Sequence, residues 1–209
     1  AQKPGNFEEW MLATFGRGIT ELFMHPYNFK VWAFPPHMMD FNWIGERVSV
    51  PRLAQVLRSV CTGQDEVSWG PNAVFQFPKR GGTGAIWKAL GEGLPTERVR
   101  LGRRVESIDP AAHTARCADG TEWQYRHLIS TLPLNVLIRI SGGLVREETA
   151  EQLRYSATNV IGVGLNGQVP DHLKTKCWMY FPENNSPYYR VTVFSNYSPN
   201  NCPKPGAQW

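Results

Sequence analysis

Residues 99–108, Val-Arg-Leu-Gly-Arg-Arg-Val-Glu-Ser-Ile, begin the stretch of sequence that decides the fold. They predict a strand, and Asp119-Gly120 further along predicts a hairpin turn between two more strands. Leu128-Ile-Ser-Thr-Leu132 predicts a short apolar strand that Pro133 ends. Taken alone, this series of strands is compatible with an ordinary three-stranded meander.

A glycine-rich turn, Gly81-Gly-Thr-Gly84, lies upstream of this series. It follows a predicted strand at residues 73–77 and opens a predicted helix that contains Ile86 and Trp87. A glycine turn between a strand and a helix lets the backbone approach a cofactor or a phosphate. The turn is neither G-x-G-x-x-G nor a P-loop, so tight packing of the helix on the strand is an equal alternative.

Residues 1–73 have a helical character with long irregular loops. Asn6 predicts the cap of a first helix, because the apolar residues that follow it recur at helical spacing. A second helix is predicted over residues 51–61, with Pro51 in its first turn.

Between these two helices, residues 22–47 combine aromatic rings, amides and cations with three prolines, and they show no clean helical or strand periodicity. That composition predicts an irregular surface that stacks a planar ring and neutralises an anion. A proline-broken connection with aromatic packing is the alternative.

Downstream, three further strands are predicted at residues 159–165, 177–181 and 188–195. Alternation along the last one turns Arg190 and Thr192 to one face, and Val191 to the other, which we expect to be core. If the arginine face is covered, Arg190 needs an anion, because a buried unpaired charge is costly. An arginine fork suits a diphosphate.

The bulk composition excludes several classes of function. The net charge of the 209 residues is only +4 and Lys and Arg are scattered, so we expect no nucleic-acid partner. The four cysteines lack metal-ligand spacing, and no apolar run is long enough to span a membrane, so a reducing, cytoplasmic location is expected. No Ser-His-Asp, Cys-His or paired-carboxylate arrangement stands out, so any catalysis is expected to use a cofactor.

Two resemblances emerge from these segments. The series from residue 99 to Pro133 resembles the mid-chain signature of flavin amine-oxidase-type enzymes. The chain as a whole resembles the eukaryotic-type UDP-galactopyranose mutases. The matching motifs are Pro-Tyr-Asn-Phe-Lys-Val-Trp32, Gly-Glu-Arg-Val48, Trp-Gly-Pro-Asn72, Gly-Gly-Thr-Gly84, Val-Ile-Gly-Val-Gly164, Cys-Trp-Met-Tyr-Phe-Pro-Glu183 and Phe-Ser-Asn-Tyr-Ser198.

The resemblance implies a mixed α+β (α/β) fold in three parts. Residues 1–73 would be part of a helical substrate-binding domain with mobile loops. Residues 74–175 would be an internal section of an FAD-binding α/β domain, and residues 176–209 the first strands of an antiparallel sheet domain.

The resemblance also implies the site residues. It places uridine at Phe23, Asn28 and Trp32, and the sugar near Trp178. It assigns the diphosphate to Arg47, Asn72, Tyr180, Arg190 and Tyr197. For the FAD it implies an adenine contact at Val105 and a close backbone approach at Gly81 and Gly82.

The implied activity is the interconversion of UDP-galactopyranose and UDP-galactofuranose, which supplies galactofuranose to cell-wall and other glycoconjugates. In this family the reaction runs through a covalent adduct between the reduced flavin and the sugar, and NADPH reduces the FAD. The protein's share is to hold the UDP leaving group and the sugar in line. No catalytic side chain is therefore expected.

The family's N-terminal strand–turn–helix with its G-x-G-x-x-G, its histidine loop and its C-terminal segment have no counterpart in residues 1–209. We therefore expect an internal fragment that does not retain FAD, is inactive alone and can self-associate as a homo-oligomer. The alternatives are a nucleotide-sugar binding module without catalysis and a fragment of an amine-oxidase-type redox flavoenzyme.

Overall fold

The computed structural model describes residues 3–45, 47–50, 52–64, 74–202 and 207–208. The chain forms two compact units, one made of Ala1–Trp87 with Thr158–Trp209 and the other of Lys88–Ala157. Helices and antiparallel strands occur together, so the expected mixed fold is confirmed. The three-part division into domains stays a prediction. None of the helices in the described ranges is long and apolar enough to cross a membrane.

The helices of the first unit begin with a well-formed cap. The Asn6 side chain accepts a hydrogen bond from the Glu9 backbone N–H at 2.9 Å, and the Glu9 carboxylate accepts one from the Gly5 N–H at 2.7 Å. This reciprocal arrangement satisfies two amides that a helix start leaves unpaired, as predicted for Asn6. The helices are α1 (Phe7–Ile19), α2 (His25–Trp32) and α3 (Leu53–Thr62).

The stretch predicted to be irregular is partly helical, which corrects the sequence analysis. α1 bends at Gly16, where φ is 74°, and then passes through a π-helical turn, Thr20–Met24, directly into α2. Pro26 lies in the first turn of α2 and has no N–H, so the helical ladder is interrupted there and widens before it. The helical period was not visible in the sequence, because the aromatic residues of this stretch face several neighbours and so do not mark a single apolar face.

The core of the first unit lies where α1 and the π turn meet the loop after α2. Phe7, Met11, Met24 and Ile44 are buried against one another. The Phe7 backbone N–H donates to the Met39 carbonyl at 2.9 Å, which fixes the loop to the start of α1. The long loop is therefore held by packing as well as by its prolines.

The second unit contains the predicted meander. Its strands, ordered β1-β2-β3 and antiparallel, are β1 (Val105–Asp109), β2 (Thr114–Cys117) and β3 (Glu122–Gln124). The Asp119-Gly120 hairpin is confirmed. The strand predicted from residue 99 begins later, because Gly102 has φ of 71° and makes a turn. Helices α5 (Leu134–Ile140) and α6 (Glu148–Gln152) follow, and α4 (Gly84–Glu92) precedes the strands in sequence.

Two apolar runs predicted as strands are unpaired. Residues 128–132 and 159–164 form no ladder with the residues that the structure describes. Ile129 is 93% exposed and Val160 is 89% exposed. Continuous apolar runs are typical of strands covered on both faces and paired with neighbours. The prediction for residues 128–132 was wrong, and the one for residues 159–165 holds only at Leu165, because the described residues supply no partner strand to the rest.

The first unit also contains two small antiparallel ladders. One pairs β4 (Leu165–Asn166) with β7 (Ala207–Gln208), and the other pairs β5 (Trp178–Tyr180) with β6 (Arg190–Thr192). The strand predicted at residues 188–195 is thus shorter, since Phe194–Asn196 turns into a 3-10 helix. The expectation that Val191 is core was wrong, because it is 36% exposed.

Residues 74–77 were also predicted to be a strand, and the structure shows no strand pairing there; Ala73 lies outside the described residues. The alternation is nevertheless present. Phe75 and Phe77, two residues apart, both contact the ring of Tyr197. Ring packing has taken the place of a neighbouring strand.

Candidate functional site

The β5–β6 ladder brings the predicted cation and predicted aromatics together. Tyr180 lies directly opposite Arg190, and Trp178 lies directly opposite Thr192. Directly opposed residues in a ladder project from the same face. Trp178, Tyr180, Arg190 and Thr192 therefore project from one face of the ladder, and the predicted pairing of Arg190 with Thr192 on a face is confirmed.

At one end of this face lies an aromatic cluster that α2 and its approach complete. Tyr27 stacks on Phe23, with ring centroids 5.3 Å apart and planes 7° from parallel. Tyr180 meets Tyr27 edge-on at 5.2 Å and Phe23 at 6.4 Å, and Tyr189 meets Tyr27 at 6.1 Å. We call Phe23, Tyr27, Tyr180 and Tyr189 the Tyr27 cluster.

The sequence analysis did not single out Tyr27. The available signal was its position four residues after Phe23, because side chains at that spacing lie side by side once the backbone is helical. That signal was hidden because residues 22–47 were predicted to be irregular.

The hydroxyl of Tyr27 is protonated over the whole neutral range. Burial raises its pKa to about 12, the neighbouring Tyr180 and Tyr189 add to the rise, and the Arg190 guanidinium opposes it. A protonated phenol remains a hydrogen-bond donor. This end of the face therefore offers a neutral donor beside a cation.

Arg190 is the cation of this face. Its side chain is exposed, and within the described ranges it forms no ion pair with a carboxylate. Its charge reaches both ends of the face, because it lowers the pKa of Tyr27 and that of Tyr197. An arginine without a carboxylate partner between two phenol groups is suited to a phosphate or diphosphate.

At the other end of the face lies a second aromatic cluster. Phe75 stacks on Trp178 with centroids 5.1 Å apart, and Tyr197 meets Phe75 edge-on at 5.0 Å. Phe194 contacts both Phe77 and Tyr197, at 5.7 and 5.5 Å. We call Phe75, Phe77, Trp178, Phe194 and Tyr197 the Tyr197 cluster.

Burial raises the pKa of Tyr197, while hydrogen bonds with the side chains of Thr192 and Trp178 lower it. The Ser198 hydroxyl donates to the Lys79 carbonyl at 2.7 Å, which fixes the segment next to Tyr197 to the chain beyond Phe77. The Tyr197 cluster is thus joined by both rings and hydrogen bonds.

The remaining predicted uridine and phosphate residues are held near α1 and the loop after α2. Asn28 donates through its amide to the Met24 carbonyl at 2.7 Å, and Trp32 packs edge-on against Trp43 at 5.1 Å. Arg47 donates to the Trp43 carbonyl at 2.7 Å. The structure therefore places Arg47 against its own loop, whereas Phe23 lies with Tyr180 and Arg190. Asn72 lies outside the described residues.

The glycines predicted to approach a cofactor have the backbone that this role requires. Gly81 and Gly82 have φ of 77° and 62°, just before α4. A Cβ on Gly81 would come within 3.1 Å of the Ala85 Cβ. In the second unit, Val105 opens β1, which is an edge strand of its sheet and so leaves backbone groups open. Within the described ranges, no cluster of side chains could hold a metal ion.

Two comparisons with known proteins agree with this geometry. A family model described as flavin containing amine oxidoreductase matches residues 1–207. The chain is also similar to a crystal structure of reduced UDP-galactopyranose mutase, with 45% sequence identity and a TM-score of 0.93. The likeness covers 100% of this chain and 46% of that chain, so the chain spans about half the length of that solved structure. The resemblance expected from the sequence is confirmed.

Proposed function

The chain belongs to the family of flavin-containing amine oxidoreductases, and from that premise we propose that it is part of a UDP-galactopyranose mutase. The proposed reaction is the isomerase reaction between UDP-galactopyranose and UDP-galactofuranose. The 45% identity to the mutase structure over this whole chain supports this class over other members of the family.

A single observation carries the proposal: Arg190 and Tyr180 are directly paired across the β5–β6 ladder, beside the stacked rings of Phe23 and Tyr27. A cation without a carboxylate partner next to aromatic rings matches a nucleoside diphosphate, which joins a planar base to two phosphates. A small amine carries a positive charge, which the Arg190 guanidinium at this place would repel.

The residues present fit an FAD at the two places that the sequence predicted. The left-handed turn at Gly81 leaves the backbone bare where a side chain would collide with Ala85, and the open edge at Val105 suits a contact through backbone groups. When bound and reduced, the FAD supplies the nucleophile of the reaction. NADPH is the proposed reductant, and a cytoplasmic location is proposed because these soluble cofactors occur there.

The chain's own contribution is to bind and orient UDP. The Arg190 guanidinium neutralises the diphosphate, and the Tyr180 and Tyr197 hydroxyls donate to it. The proposed binding residues are Phe23, Asn28, Trp32, Arg47, Asn72, Trp178, Tyr180, Arg190 and Tyr197. Fixing the leaving group in place removes much of the entropy that the bond cleavage would otherwise lose.

Calorimetric titration with UDP, and separately with benzylamine, tests this function. We expect UDP to bind and benzylamine not to bind, and the reverse would favour an amine-oxidizing flavoenzyme. The complete reading frame that contains residues 1–209 is then assayed, after reduction, for conversion of UDP-galactofuranose. UDP binding without conversion in that longer protein would favour a nucleotide-sugar binding module.

A second measurement concerns the cofactor and the oligomeric state. We propose that residues 1–209 alone purify without stoichiometric flavin and turn nothing over, because they lack the family's N-terminal strand–turn–helix that grips the FAD pyrophosphate. A purified sample with one flavin per chain by absorbance would contradict this. Light scattering on the same sample tests the proposed self-association, for which exposed apolar residues such as Ile129 and Val160 are the reason.

A further inference from the structure

Lys30, a residue of α2 to which the sequence analysis gave no role, is surrounded by backbone carbonyls. Its ammonium group donates to the carbonyl oxygens of Phe181 at 3.0 Å, Ser186 at 2.9 Å and Tyr188 at 3.4 Å, and also to that of Glu183. All four carbonyls belong to residues 181–189, which join β5 to β6. The side chain is half-buried.

These contacts answer a structural need of the β5–β6 connection. Each of the two strands it joins has only three residues, and a two-stranded ladder of that size is marginal on its own. The connection is irregular, so its carbonyls have few ladder partners, and an ammonium group supplies three donors at one point. Lys30 gathers these carbonyls around a single charge and closes the connection onto α2.

The connection ends at the two residues that carry the proposed site. Phe181 directly follows Tyr180, and Tyr188 lies two residues before Arg190. Lys30 itself lies between Asn28 and Trp32, two of the residues proposed for uridine. The lysine therefore links the helix on the base side of the site to the strands on the phosphate side.

We propose that Lys30 is a positioning residue for UDP: by binding the carbonyls of the β5–β6 connection it holds Arg190 and Tyr180 in place against α2, beside the residues proposed for the base. This inference rests on the proposed function. Its ammonium is directed to the backbone, so it does not itself bind the phosphates. A purely structural lysine would instead lower stability while leaving the discrimination between UDP and uridine unchanged.

The test compares Lys30→Met with Lys174→Met in the complete reading frame that contains residues 1–209. Lys174 is a matched control, because it is an exposed lysine of the same unit whose ion pair is with Asp171. Calorimetry gives the dissociation constants for UDP and for uridine. We expect Lys30→Met to weaken UDP binding about tenfold and uridine binding less than about twofold, the range of coupling seen between residues in one network.

A double-mutant cycle with Arg190→Ala separates positioning from general destabilisation. If Lys30 acts through Arg190, adding Lys30→Met to Arg190→Ala weakens UDP binding by less than about twofold. Equal weakening in both backgrounds, or an unchanged dissociation constant in Lys30→Met, overturns the inference. If neither the wild type nor Lys174→Met binds UDP, the proposed function itself fails, and that result is distinct from the other two.

Hydrogen exchange without ligand provides the structural readout. Lys30→Met is expected to speed amide exchange within residues 181–190 and not in the meander of the second unit, and unchanged exchange in residues 181–190 overturns the inference. If Lys30→Met does not fold by circular dichroism, Lys30→Gln, which retains two amide donors without the charge, is measured in the same way with the same expected directions.

Discussion

The two aromatic clusters on the β5–β6 face are built from similar residues but differ in what they offer a ligand. The Tyr27 cluster has Arg190 directly across the ladder from Tyr180, and its tyrosine hydroxyl is protonated with a pKa of about 12. The Tyr197 cluster has rings stacked on rings, and burial raises the pKa of its tyrosine while the side chains of Thr192 and Trp178 oppose that rise. One cluster lies beside a cation, and the other consists of packed rings with a single phenol among them.

The two clusters therefore have different roles in the proposed site. Charge recognition belongs to the Tyr27 end, because there a cation without a carboxylate partner lies beside a neutral donor. Shape recognition belongs mainly to the Tyr197 end, where flat rings present an apolar wall and the Tyr197 hydroxyl adds one donor for the diphosphate. A nucleotide sugar has a charged centre and an uncharged pyranose ring, so the two ends suit its two parts.

Removing the charge is the strongest test of this division. Arg190→Ala is expected to weaken UDP binding by about 2–3 kcal/mol, because truncating one partner of a close charge pair leaves the other without compensation. Calorimetry on the complete reading frame measures it. Arg17→Ala is the control, since Arg17 is an exposed arginine of the same unit paired with Glu21. Equal UDP affinity in the Arg190 variant and the wild type would show that the Arg190 charge does not recognise the diphosphate, and charge recognition would then not belong to the Tyr27 end.

Much of this region could be predicted from the sequence. The period-2 alternation correctly placed Tyr180 and Trp178 on one face and Arg190 with Thr192. Local rules also identified the Asn6 cap and the Asp119-Gly120 hairpin, because both depend on a few adjacent residues. Signals that act over short distances along the chain were therefore reliable.

Features that depend on distant parts of the chain could not be predicted. Tyr27 joins the site only because α2 packs near β5, and Lys30 meets carbonyls more than 150 positions away in the sequence. The apolar runs at residues 128–132 and 159–164 have a composition typical of strands, but a strand needs a partner that composition does not reveal. Interpreting residues 22–47 as irregular failed because tertiary contacts, and not periodicity, stabilise α2.

The pH dependence of stability at alkaline pH compares the two clusters through the pKa values of Tyr27 and Tyr197. Tyr27 ionises near pH 10 in the unfolded chain and near 12 in the folded one, so between these values the folded state binds more protons. The contribution of Tyr27 to the free energy of unfolding is therefore fully present below pH 10 and is lost as the pH rises towards 12. Because solvent screens a half-buried phenol, we expect a loss of about 1 kcal/mol from Tyr27.

Urea denaturation at pH 9 and pH 11 measures this loss. Tyr27→Phe should remove most of it, whereas Tyr197→Phe should remove less, since hydrogen bonds from Thr192 and Trp178 oppose the effect of burial there. Tyr155→Phe, at a side chain that is 83% exposed, is the control. If Tyr197→Phe removed more of the loss than Tyr27→Phe, the pKa of Tyr197 would be raised more than that of Tyr27, which is the reverse of the order described.

The smallest expected effect is the one that tests the apolar end. In Trp178→Phe the ring that stacks on Phe75 is kept and only the indole N–H near Tyr197 is lost. We expect UDP affinity to stay within about twofold, because a neutral hydrogen bond is worth about 1 kcal/mol and this one is not made to UDP. UDP-galactopyranose should be weakened more than UDP, since only it has a sugar to place against the indole. A tenfold loss of UDP affinity would instead mean that the indole itself helps to hold the diphosphate, and the division of work between the two ends would then be wrong.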